Sequence, residues 1–164
     1  MKNTRDGSAD KLSLPRTMLL QCFYQLIITR PLPDYIEKHQ FSSKRLLMKP
    51  IQYQDKNFYT ELFTNENVTK YTGGVFTKQQ VNKNFVNTLK ALSAKPLQYL
   101  TWLVKEKSEN DTIGIITLIW HNQQKQLAEF GVMLNAKNQN QGYCSELTQS
   151  FILYCFTTLK LPSL

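Results

Sequence analysis

An Asn/Gln-rich loop ending in Gln139-Asn140-Gln141-Gly142-Tyr143-Cys144 separates two apolar stretches of this chain. The stretch before it, Leu127–Leu134, is short enough for a strand, and the one after it, from about Ser145, has helical periodicity. Strand, glycine-containing loop and helix N-terminus in that order can make an anion site. The first backbone N–H groups of a helix have no intrahelical partner, and the macrodipole adds partial positive charge there. Gly142 has no side chain to keep the backbone away from an anion. The chemistry this predicts is the binding of a ligand that carries phosphates.

Other reactive residue types are sparse. Cys144 stands at the predicted helix start, where a thiol can be activated, but its sequence neighbour is Glu146 rather than a His or Arg, so it reads as unreactive. Cys155 lies mid-helix among Phe151, Ile152 and Phe156 and reads as core. With Cys22 these make an odd set of three without paired-thiol or zinc-ligand spacing, which points to free thiols in a reducing compartment. His39 and His121 are remote from one another and from the cysteines. Each reads as an ordinary surface or hairpin histidine, and no metal is expected.

The elements that must position the loop follow from periodicity. Leu46–Ile51 reads as a strand. Asp55–Phe63, with Phe58, Tyr59, Leu62 and Phe63 at i, i+4 spacing, reads as a helix. Thr77–Leu92 reads as a second helix, with Thr77 as N-cap and Val81, Phe85, Leu89 and Leu92 on one face. Tyr99–Val104, Ile113–Trp120 and Leu127–Leu134 are rich in β-formers. Lys105–Asp111 reads as a charged turn and His121–Lys125 as a polar hairpin, giving an antiparallel meander. The order strand, two helices, three strands, helix is that of an α+β domain.

At 164 residues, 41% hydrophobic, the chain suits one domain with a buried core. Its net charge of +8 is uneven: residues 1–50 hold nine Lys/Arg against four Asp/Glu, and the remainder eleven against eight. Lysines and arginines nowhere run together with interleaved aromatics, so nucleic acid is not the expected partner. The apolar run Met18–Ile28 is well short of the roughly 20 residues that span a membrane, and no small-residue cleavage site follows it. Pro31 and Pro33 break any helix there. Residues 1–42 therefore read as an N-terminal extension, an arm or a short helix, and neither export nor membrane insertion is expected.

Several segments together resemble the GNAT superfamily of N-acetyltransferases. Gln139–Cys144 is similar to its Q/R-x-x-G-x-G/A pyrophosphate loop, with Cys144 in place of the usual small residue. Glu146 matches the Glu in family runs such as G-Y-A-T-E-A. The run S-K-R-L-L-M-K-P-I from Ser43 resembles the T-x-R-L-x-L-R-P-L opening of the ribosomal-protein-acetyltransferase (RimJ/RimL-like) branch. Asn65–Gly74 looks like that branch's D-P-E-V-x-x-Y-x-G-G segment, and A-E-F-G-V from Ala128 looks like A-E-I-G-Y. The resemblance covers residues 43–164 and implies a GNAT-like mixed, mostly antiparallel sheet flanked by helices.

What the resemblance implies chemically is direct transfer of acetyl from acetyl-CoA to an amine, either a protein N-terminus or a small amine, in the cytoplasm. Gln139 would hold the first loop position, and Gln141, Gly142, Tyr143 and Cys144 would offer N–H groups to the diphosphate. Backbone groups of Val132, Met133 and Leu134 would bind the pantetheine arm and polarise the thioester carbonyl. Glu129 would accept the amine proton; otherwise it is a sheet-face carboxylate, paired with a lysine or solvated. Relatives continue into further strands, so residues 43–164 read as a partial domain lacking the C-terminal strands. The helix holding Phe151, Ile152, Leu153, Tyr154, Phe156 and Leu159 is apolar almost all round. Uncovered, it would favour self-association. The alternative function is accordingly a truncated, non-catalytic GNAT-like protein that binds CoA or a partner.

Overall fold

A computed structural model of the protein describes residues 34–70, 73–121 and 127–164. The expectations for Met18–Ile28, Pro31, Pro33, Tyr71, Thr72 and most of the 121–125 hairpin lie outside the described residues. Five antiparallel strands form one sheet in the order β1-β2-β3-β4-β5: β1 Phe41–Ser42, β2 Leu46–Pro50, β3 Tyr99–Glu106, β4 Thr112–Trp120 and β5 Ala128–Leu134. Among the described residues, five α-helical segments accompany them: α1 Asp34–Glu37, α2 Lys56–Thr64, α3 Glu66–Thr69, α4 Lys78–Leu92 and α5 Tyr143–Thr157. This is a mixed α+β fold, an antiparallel sheet flanked by helices.

Helix α4 begins where its cap dictates. The Thr77 hydroxyl accepts the Gln80 amide at 3.3 Å while Gln80 Oε1 accepts the Thr77 amide at 2.8 Å, a reciprocal capping box. Its buried residues Val81, Phe85, Thr88, Leu89 and Leu92 form the stripe that meets α2 and β3. Asn65 Oδ1 accepts the Asn67 amide at 2.9 Å and starts α3, a single turn too short for periodicity to reveal.

Strand alternation sorts the sheet residues onto two faces. Trp102 pairs with Ile116 and packs edge-on to Phe151, while Phe130 packs against the same ring, so these residues face α5. Tyr99, Thr101, Ile119 and Glu129 point the other way, with Tyr99 opposite Ile119 and Ile119 opposite Glu129. Thr101 and Thr117, both on that second face, share a hydroxyl hydrogen bond of 3.1 Å.

Residues 34–42 join the same core. Ile36 is fully buried, the Phe41 ring stacks on Tyr154 at 4.3 Å, and the Trp102 indole donates to the His39 carbonyl at 2.6 Å. His39 Nδ1 lies 2.6 Å from the Tyr154 hydroxyl, so His39 is partly buried rather than a plain surface histidine.

The expected charged turn at Lys105–Asp111 is shorter than its charges suggested, because β3 runs on through Glu106. The Glu106 carboxylate folds the turn by accepting Ser108 Oγ at 2.7 Å and the Glu109 amide at 2.9 Å. Two neutral donors thus let a charged side chain end a strand. No strand forms after α5 among the described residues; Leu161 instead turns back into the core, its amide donating to the Cys155 carbonyl at 3.1 Å.

Helix α5 buries Leu147, Phe151, Tyr154 and Cys155 and leaves Ile152, Leu153 and Phe156 exposed. Burial pushes the Cys155 thiol up to about 12, leaving it a neutral packing group.

Candidate functional site

The loop between β5 and α5 is shaped by its own amides. Asn135 Oδ1 accepts the Asn138 amide at 3.2 Å and opens a short turn over Ala136–Asn138. The Gln139 side-chain amide donates to the Leu134 carbonyl at 3.1 Å, and that of Gln141 to the Lys137 carbonyl at 2.8 Å. Gln139 therefore works inward, pinning the end of β5. Gly142, with φ 78°, is the N-cap of α5, and it offers no side-chain acceptor to the helix's first amides. A left-handed conformation at this position is what glycine alone adopts without strain. Helix α5 starts at Tyr143, two residues before the expected Ser145, so the Tyr143 and Cys144 amides belong to its open first turn.

One side chain that sequence reasoning missed lies against this loop. Arg45, at the approach to β2, donates Nε to Glu146 Oε2 at 2.6 Å and Nη1 to the Gln141 carbonyl at 3.2 Å. Its guanidinium lies 4.3 Å from the centre of the Tyr143 ring. The Arg45 amide at 2.7 Å and the Ser43 hydroxyl at 2.6 Å both donate to Glu146 Oε1. Burial by itself would raise the Glu146 carboxyl; the Ser43 hydroxyl, then the Arg45 amide and guanidinium, outweigh it and hold the group down at about 2. The hydrogen bond to Glu146 in turn raises the Arg45 guanidinium above its ordinary value. Cys144 is exposed.

At the other end of β5, Glu129 is exposed and lies 3.0 Å from His121 Nε2, a partner in place of the lysine that sequence allowed. The hairpin register accounts for it: Trp120 is opposite Ala128, so the residue after Trp120 comes beside the start of β5. Glu129, Val132 and Met133 line one cavity of about 290 Å³ together with Phe63, Tyr99 and Ile119. The last three also line an adjoining cavity of about 510 Å³, whose walls include Tyr59, Asn84, Asn87 and Gln98. Burial raises the Tyr59 phenol to about 12, so it is a neutral hydroxyl there. Leu134 is buried where β5 meets the loop.

The predicted residues thus gather into two groups. Gln139, Gln141, Gly142, Tyr143 and Cys144 lie at the start of α5, and Glu129, Val132 and Met133 lie along a cavity wall on β5. From Glu129 to Leu134 the strand rises about 17 Å. As the edge strand, β5 pairs on one side only, with β4. Its outer row of backbone groups is open to an extended ligand among the described residues. Also among the described residues, no three His, Cys, Asp or Glu side chains gather to hold a metal ion, and no helix is long and apolar enough to cross a membrane.

Comparison with known proteins points one way. The family model described as acetyltransferase (GNAT) domain matches residues 45–164. YnaD of Bacillus subtilis (strain 168), an uncharacterized N-acetyltransferase, is 31% identical over 121 residues, covering 73% of this chain and 67% of that protein. The crystal structure of a GNAT-family acetyltransferase from Bacillus anthracis matches with a TM-score of 0.61 at 31% identity, over 74% of this chain and 69% of the other. Spermidine N-acetyltransferase from Vibrio cholerae, solved with CoA and spermine, shares the fold with a TM-score of 0.60 at 20% identity, over 71% of this chain and 67% of that one. The chain spans about two thirds of the length of each of these proteins.

Proposed function

The chain belongs to the acetyltransferase (GNAT) family, and on that premise we propose that it transfers acetyl from acetyl-CoA directly to an amine. The observation that carries the proposal is the uncapped first turn of α5 behind the left-handed Gly142, at one end of an open edge strand whose other end holds Glu129 on a cavity wall. The amides of Gln141 through Cys144 bind the diphosphate, with Gln139 fixing the loop to β5. Backbone groups of Val132, Met133 and Leu134 hold the pantetheine arm along the open edge and orient the thioester. Glu129 accepts the proton that the amine must lose to attack, directly or through water, with His121 holding its carboxylate. The new N–C bond forms as the C–S bond breaks, and the departing thiolate takes up a proton from water to give the free CoA thiol.

The acceptor is a single amine, a protein N-terminus or a small monoamine. Among the described residues lining the two adjoining cavities, Glu129 is the one carboxylate, whereas a polyamine carries several charges that need partners. Similarity of Ser43–Ile51 and Asn65–Gly74 to the ribosomal-protein branch supports a protein N-terminus. Free thiols at Cys144 and Cys155 suit a reducing cytoplasm. The test is release of CoA thiol by the purified chain supplied with acetyl-CoA and a panel of amines. Thiol release that depends on a monoamine is expected. Release with polyamines only would contradict the acceptor class, and none with any amine would contradict the enzyme.

A second reading, a GNAT-like protein that binds CoA or a partner without turnover, is favoured by one observation. Ile152, Leu153 and Phe156 form an exposed apolar patch on α5, and such patches mark contact surfaces. Binding of acetyl-CoA without thiol release, with self-association, would select it.

A further inference from the structure

We propose that Arg45 is a positioning residue for the diphosphate loop, clamping both flanks of Gly142 and masking the carboxylate of Glu146 from the phosphates. The inference rests on the acetyl-CoA reading above and goes beyond it by assigning a residue distant in sequence to the loop's working geometry. Glu146 lies in the first turn of α5, where an acidic side chain favours the helix itself. A diphosphate on the same amides would nevertheless meet a like charge a few ångströms away, at a cost set by how well that charge is neutralised.

The structure neutralises it on the side of β2. Three donors from residues 43 and 45 converge on the two Glu146 oxygens, at 2.6, 2.7 and 2.6 Å. They hold the carboxylate against β2 instead of leaving it free to bond the α5 amides. The same guanidinium then reaches across the loop. Nη1 donates to the Gln141 carbonyl just before the glycine, the plane covers the Tyr143 ring just after it, and Nη2 lies 3.5 Å from where a Cβ on Gly142 would stand. One planar group thus fixes Gln141, Tyr143 and Glu146 relative to one another.

The clamp is itself anchored. The Lys107 amide donates to the Arg45 carbonyl at 2.9 Å, and the Leu46 amide donates to Ser43 Oγ at 3.0 Å, tying this segment to the sheet. A lysine keeps the charge but not the fork, so it cannot bond Glu146 and Gln141 while covering Tyr143. An ion pair kept only for stability would add little at this exposure and would not distinguish one ligand from another.

The experiment compares CoA with pantetheine, which lacks the diphosphate, in calorimetric titrations of the full chain and its variants. For Arg45→Met, the Kd for CoA should rise about tenfold or more while that for pantetheine changes less than twofold. Arg45→Lys should still weaken CoA at least threefold. Adding Glu146→Gln to Arg45→Met should recover part of the lost CoA affinity, because the unmasked charge is gone. Equal losses for both ligands, or an unchanged Kd for CoA in Arg45→Met, would overturn the proposal. Should Arg45→Met not fold, Arg45→Lys decides: an unchanged Kd for CoA overturns the clamp. Absence of CoA binding by the unaltered chain would overturn the acetyl-CoA reading itself, and the clamp with it, a result distinct from normal binding in the variants.

Discussion

The two ends of β5 are built differently. At the loop end, Gln139, Gln141, Arg45 and Glu146 each make a hydrogen bond to another part of the site, and a left-handed glycine starts the helix. At the cavity end, Glu129 and His121 form one exposed pair across the start of a hairpin. The loop end is held in place by its own contacts, so on the proposed function it would bind the diphosphate with little ordering entropy to lose. The cavity end leaves Glu129 open to water, so its proposed role as base would depend on what the acceptor and acetyl group exclude when they enter. Binding and chemistry should therefore separate cleanly on mutation.

Gly114 sits against the loop end of β5 and gives the largest expected effect. It pairs with Leu134, and a Cβ there would run into the Met133 carbonyl oxygen and come within 2.6 Å of Leu134 Cδ2. Backbone cannot yield as a side-chain tip can, so Gly114→Ala should cost about 3 kcal/mol. That lowers Tm by about 10 °C, measurable by thermal denaturation, and it should damage acetyl-CoA binding as well. A Tm within 2 °C of the parent, on the same scale, would show that β4 and β5 separate easily.

Glu129→Gln sharpens the contrast from the cavity end. Losing a positioned base typically costs about a hundredfold or more in rate, so kcat should fall by that much while the Kd for acetyl-CoA stays within about twofold. A parallel loss of affinity would mean that Glu129 belongs to the cofactor site instead.

Acid tests the loop end. The Glu146 carboxyl is held at about 2 against an ordinary 4.5, so its paired form contributes stability that is fully present above about 4.5. That contribution declines as pH falls and is gone below about 2. Stability of Glu146→Gln should accordingly be less pH-dependent than the parent's across that window, read from denaturation midpoints. A similar pH slope in both would remove Glu146 from the account.

The smallest effect concerns the exposed side of α5. Leu153 is 63% exposed, so Leu153→Ser should leave Tm nearly unchanged while reducing any self-association seen by sedimentation. A large drop in Tm would mean that this face is covered in solution.

The elements were legible because their signals are local. The i, i+4 pattern gave α2, the Thr77 N-cap gave the start of α4, and β-propensity gave β3, β4 and β5 to within one or two residues. Glycine spacing gave the loop. What sequence did not reveal depends on long-range pairing: Arg45 and Glu146 are 101 residues apart and lie in separate motifs with nothing in the sequence to join them. His121 and Glu129 are an intermediate case, since placing Trp120 opposite Ala128 would have brought them together from register alone. Strand β1 has two residues, too few for alternation to register, and is fixed by pairing with Leu47 and Met48.

Calorimetric titration of acetyl-CoA into the purified chain and into Gly142→Glu tests the central claim most directly. A glutamate at Gly142 would force an L side chain into φ 78° and set a second negative charge beside the α5 amides. Saturable one-to-one binding by the parent and an affinity at least about a hundredfold weaker in the variant, near 3 kcal/mol, is the predicted result. Equal affinity in both, or no heat with the parent, would contradict an acetyl-CoA diphosphate site at Gln139–Cys144.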